Sequence, residues 1–102
     1  MALVNIDSAR QQVLRALARM EPPQGIELMS YKRNRTIAVV CRQDGGYLVR
    51  ERGYVEQEME VAEDGLSRLL KTLIRREFPR SRKVRLHRFA HPDELERPHQ
   101  KI

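Results

Sequence analysis

Between residues 71 and 88 the chain places eight Lys or Arg against one acid, Glu77, a local balance of +7. The whole chain carries +6, so everything outside this window nets −1. The basicity is regional, and a regional cationic patch points to a polyanion, nucleic acid first. The candidate contacts are Lys71, Arg75, Arg76, Arg80, Arg82, Lys83 and Arg85. Lys and Arg side chains there would meet successive phosphates and release counterions. The competing reading is neutralisation, with Lys83 and Arg85 paired to Glu56, Glu58 and Glu60 on a neighbouring strand. Lys32, Arg33 and Arg35 form a second, smaller basic group.

Tyr31, Tyr47 and Tyr54 are the aromatics that could stack bases beside those cations. The pairing rules favour the other reading, a hairpin aromatic packed on an arginine stem, as for Tyr54 across from Arg50. Neither an aromatic cluster of the kind that lines RNA-binding sheets nor a GXXG loop is present.

Catalysis requires a convergent set of groups, and none is evident. His87, His91 and His99 lack metal-ligand spacing, and the single Cys41 sits in the most apolar run. That setting suits a small core residue better than a nucleophile. Asp44 and Glu51 could be offered as the acids of a metal-dependent nuclease, but the position where such a site needs its lysine is Gly53. Gly45-Gly46 precedes no helix and so has no phosphate-cradling geometry. The expectation is a non-enzymatic protein without metal or cofactor. Its partner is expected to be RNA or DNA. The alternative is a protein-interaction or assembly module, a homodimer included, that uses complementary acidic and basic patches.

The elements that must position these residues follow from periodicity. Ser8 and Gln11 have capping-box spacing. Ala9, Val13, Ala16, Leu17 and Met20 then share one helical face, with Arg15 and Arg19 opposite. Pro22-Pro23 ends that helix. Residues 26–31 form a strand. Residues 36–42 are apolar on both faces, the mark of a central strand covered on both sides. One cover would be the helices and the other a partner subunit. Asp44-Gly45-Gly46 reads as a hairpin turn leading to a strand over 47–50. Residues 51–53 read as a three-residue loop with Gly53 at positive φ, and 54–61 alternates as the next strand. The second helix spans 66–78, burying Leu66, Leu69, Leu70, Leu73 and Ile74. A last strand covers Lys83–Phe89.

The order α-β-β-β-β-α-β describes an α+β domain. Its sheet should be mostly antiparallel, with four to five strands and both helices on one face. With 102 residues the chain is one domain, 1–90, followed by a weakly ordered charged tail, 91–102. The longest apolar run, 37–41, is too short to cross a bilayer. The absence of a signal-like N-terminus and the single cysteine point to the cytoplasm.

Overall fold

A computed structural model describes residues 2–96. The element order is β1 (Ala2–Asn5), α1 (Ile6–Leu17), β2 (Gly25–Met29), β3 (Thr36–Cys41), β4 (Tyr47–Arg52), β5 (Gln57–Val61), α2 (Glu63–Glu77), β6 (Lys83–Phe89) and a 3-10 turn, Pro92–Glu96. The strands form one sheet in the order β1-β6-β2-β3-β4-β5, with every neighbouring pair antiparallel. The fold is α+β as expected, but the sheet has six strands.

The additional strand is β1. It pairs with β6 from Ala2 opposite Leu86 to Asn5 opposite Lys83. Four residues with Leu3 half-exposed give no alternation long enough to register as a strand. The first helix accordingly starts earlier than Ser8. Its N-cap is Asn5, whose side chain accepts from the Asp7 N–H at 3.0 Å. Ser8 lies inside the helix, where its hydroxyl donates to the Asn5 carbonyl and accepts from Gln12. Both residue types cap helices well, so the sequence offered two starts, and the pairing of β1 selects the first.

Both helices pack on one sheet face. Val13, Leu17, Leu66, Leu70, Leu73 and Phe78 meet Ile26, Leu28, Ile37, Val39, Val49 and Val84 in the main core. β3 is fully buried on both faces. On its far side Ala38 and Val40 join Phe89, Leu48 and Leu95 of the C-terminal turn in a second apolar cluster. At least part of the cover that the doubly apolar strand requires is therefore intramolecular. The tail segment up to Glu96 forms the turn that supplies Leu95, and residues 97–102 lie outside the described residues.

The turn at Asp44-Gly45-Gly46 forms as read, with Gly45 at φ 89° and the Asp44 carboxylate accepting from the Gly46 N–H. The next hairpin differs. β4 continues through Arg52, and the connection is 53–56 instead of 51–53. Gly53 does not adopt positive φ. Its glycine is required by close approach. A Cβ there would fall inside the contact distance of Glu77 Oε1 and meet Arg35 Cγ at 2.8 Å.

Candidate nucleic-acid interface

Antiparallel pairing brings the ends of β2 and β4, the starts of β3, β5 and β6, and the end of α2 to one edge of the molecule. The connections 30–35, 53–56 and 78–82 therefore share one end. Most of the chain's cationic candidates lie on or beside those connections.

Arg80 and Arg82 stand exposed in the α2–β6 connection, and Lys83 is exposed at the first position of β6. The Arg82 carbonyl accepts from the Ile6 N–H at 2.8 Å, which ties this connection to the start of α1. Arg85, half-buried, donates from Nε to the Tyr31 carbonyl at 3.1 Å and lies 4.8 Å from the Tyr31 ring centroid. It is thereby linked to the β2–β3 connection, where Lys32 and Arg33 are exposed. Arg35 donates to the Glu77 carbonyl at 2.7 Å and covers the Tyr54 ring at 4.9 Å. Lys71 and Arg75 are exposed on the outer stripe of α2. Lys71 is six residues before the helix end, about 9 Å along the axis, and stands apart from the loop group.

Arg76 has a different role. Its guanidinium donates twice to the Glu51 carboxylate, at 2.8 and 2.7 Å, and Glu51 is fully buried. Glu51 also accepts from Gln57 at 2.9 Å and is hydrogen-bonded to Glu77. Burial pushes the Glu51 carboxyl up, but the hydrogen bonds from Arg76, Glu77 and Gln57 outweigh it and hold the group down at about 2. Glu77 is also fully buried and moves the other way. Burial and the bond to Glu51 raise it, against the opposing pull of the Tyr54 and Val55 N–H groups that its carboxylate accepts at 3.0 and 3.3 Å. When Glu77 carries a proton it donates it to ionised Glu51, so the two carboxyls titrate together. Arg76, itself solvent-exposed, is consequently clamped on the buried framework beneath the cationic edge.

The glutamates of β5 do not neutralise β6. Three strands separate β5 from β6, a distance of roughly 19 Å across the sheet. Glu58 pairs with Arg50 at 2.7 Å, and Glu60 pairs with Arg42. Glu56 in the β4–β5 connection and Asp7 at the start of α1 are the exposed acids closest in the fold to the cationic edge.

A second basic locus escaped the sequence reading. Arg15, Arg19 and Arg88, with Gln12, Gln24, Met20 and Phe89, line an open groove of about 560 Å³ near the C-terminal end of α1. Arg15 and Arg19 read as a solvated helix stripe. The available signal was Arg88, which shares strand parity with core residues Val84 and Leu86 and so projects on the helix side. The same parity argument marks Glu51, in step with buried Val49.

Among the described residues no group of three or more His, Cys, Asp or Glu is placed to hold a metal ion. No helix among them is long and apolar enough to cross a membrane. Cys41 is buried, and burial pushes its thiol up, away from the reactive thiolate. No protein-family model, curated protein or solved structure matches this chain.

Proposed function

We propose that this is a small nucleic-acid-binding protein that grips backbone phosphates with the cationic edge of its sheet. The observation that supports this reading is the gathering of Arg80, Arg82 and Lys83 beside Lys32 and Arg33, while Glu51 and Glu77 at the same end are buried. Exposed Lys and Arg outnumber the exposed acids Glu56 and Asp7 at that end, which favours a positive field. The cations are long side chains on loops and a strand terminus, without a recognition helix to enter a groove. Such contacts fix phosphates and do not read base edges. Binding is then nearly sequence-independent and steeply salt-dependent. Lys71 and Arg75 extend the field along α2. Arg85 contributes through Tyr31, and Arg76 contributes by holding the framework.

The assembly-module alternative has less support. Of the acids it would use, Glu58 and Glu60 are engaged by Arg50 and Arg42 on their own sheet.

The test is fluorescence anisotropy of labelled oligonucleotides across several salt concentrations, wild type against R80A/R82A. Each lost phosphate contact should lower the log–log salt slope by roughly 0.7 to 0.9. Absence of salt-sensitive binding in the wild type at low ionic strength would overturn the proposal. A double mutant indistinguishable from wild type would move the contacts away from the α2–β6 connection.

A further inference from the structure

We infer that the cationic edge takes single-stranded polynucleotide, with unpaired bases stacked on Tyr31 and Tyr54. This rests on the phosphate-binding reading above and adds the class of nucleic acid.

The first observation is exposure. Tyr31 and Tyr54 are 68% and 67% exposed, whereas Phe78 and Phe89 are buried and Tyr47 is half-buried. The chain has only five Phe and Tyr and no Trp. A small domain short of large apolar side chains leaves two rings in water, both at its cationic end.

The second observation is that both rings are held. The Arg85 guanidinium lies 4.8 Å from the Tyr31 centroid, and the Arg35 guanidinium lies 4.9 Å from that of Tyr54. Each arginine is itself fixed by a backbone carbonyl, Tyr31 for Arg85 and Glu77 for Arg35. A cation over one face of a ring leaves the opposite face for a nucleobase. Two torsions of each tyrosine are then ordered before binding, which lowers the entropic cost of stacking.

Spacing selects the strand state. Tyr31 follows β2 and Tyr54 lies beyond the end of β4, with β3 between them. Two inter-strand steps set the platforms at least about 10 Å apart, with Tyr31 held by Arg85 on the far face and Tyr54 held by Arg35 and Glu77 on the helix side. Bases in a helical strand follow one another at about 3.4 Å, with both faces covered by neighbours. A duplex therefore cannot fill either platform. A single strand can splay its bases to reach both, as on other stacking surfaces, and its phosphates then run past Lys32, Arg33 and Arg80.

The experiment measures anisotropy of oligouridylate, oligothymidylate and a duplex of equal length, using the full chain and the variants Y31L/Y54L, Y31F/Y54F and R80A/R82A. The wild type should prefer both single strands to the duplex. Y31L/Y54L should lose that preference, weakening single-strand binding by roughly 5- to 150-fold per ring, with duplex binding unchanged. Y31F/Y54F keeps the π-faces and should bind as wild type. R80A/R82A should weaken all three probes together. Equal wild-type affinity for single strand and duplex, with Y31L/Y54L unaffected, would overturn the inference and leave the phosphate reading standing. Failure of the wild type to bind any probe in a salt-sensitive way would overturn both. Oligouridylate against oligothymidylate separates RNA from DNA as the preferred source of the strand.

Discussion

The last turn of α2 serves two regions of opposite character. Beneath it lies a cluster built on two buried carboxyls, Glu51 and Glu77, with half-buried Gln57 and exposed Arg76 as partners of Glu51. Beyond it lies the exposed rim, Arg80, Arg82 and Lys83. Arg75 and Arg76 are adjacent in sequence and divide between the two, one in solvent and one clamped on a buried carboxylate. Local net charge does not distinguish them. Arg76 counts toward the +7 of its window, yet its charge is neutralised by Glu51, which lies outside that window. The difference teaches that a cationic run becomes a surface only after acids reaching it from other elements are subtracted. The cluster also supports the rim physically, because Glu77 holds the backbone of Tyr54 and Val55 and its carbonyl holds Arg35.

Removing the cluster's keystone should have the largest effect. Glu77→Ala leaves the Tyr54 and Val55 N–H groups without their acceptor and Glu51 without its proton donor. The expected loss of stability is about 3 kcal/mol by urea denaturation. A loss below about 0.5 kcal/mol would mean that water replaces the carboxylate and that the cluster does not anchor the loop.

Gly53→Ala is next. The new Cβ collides with the Glu77 carboxylate and crowds Arg35. Overpacking of this kind costs about 1–3 kcal/mol. Since Gly53 has no positive φ, the penalty should shrink in the background of Glu77→Ala, and a double-mutant cycle measures that coupling. An undiminished penalty would locate the strain in the backbone.

The carboxyl pair gives stability a characteristic pH profile. Glu51 is held at about 2, below its unfolded value, so its contribution is present above the ordinary glutamate range and is lost as pH falls toward 2. Glu77 is raised, so the folded state binds more protons than the unfolded state between the ordinary glutamate pKa and the raised one. Its contribution is full below the ordinary value and is lost as pH rises through that window. The pair by itself places maximum stability near the ordinary glutamate pKa, about 4.3. Glu77→Gln should remove the alkaline limb and keep the acid limb, measured as thermal midpoints across pH. An unchanged alkaline limb would assign it to another group.

Much of the fold was legible because periodicity survives burial. β6 matches its expected span, and both helices are recognisable from their apolar stripes. What failed was local. β1 is too short to show alternation and is defined by its partner β6. Gly53 offered two reasons for glycine, positive φ and close approach, and only the position of Glu77, 24 residues later, decides between them. For the site, the loop cations were legible as a run. The burial of Glu51 and the loss of Arg76 to it were not, because that pairing spans 25 residues and crosses from strand to helix. The groove at Arg15, Arg19 and Arg88 likewise joins two elements distant in sequence.

The smallest stability effect belongs to the rim and gives the sharpest contrast with its neighbour. Arg75→Ala removes a solvated side chain with no ion pair among the described residues. Surface substitutions of that kind stay within about 0.5 kcal/mol. Arg76→Ala strips a buried carboxylate of its two strongest donors, so it must lower the thermal midpoint clearly even though the two arginines are neighbours. In oligonucleotide binding the order should invert once folding is controlled. At a temperature where both variants are fully folded, Arg75→Ala reduces the salt slope if α2 extends the phosphate track. Arg76→Ala leaves the slope unchanged, because its guanidinium is already neutralised. Equal midpoints for the two variants would erase the division between cluster and rim. A reduced slope for Arg76→Ala in the folded state would show that its guanidinium reaches phosphate despite Glu51, and the boundary between the two regions would have to be redrawn through that residue.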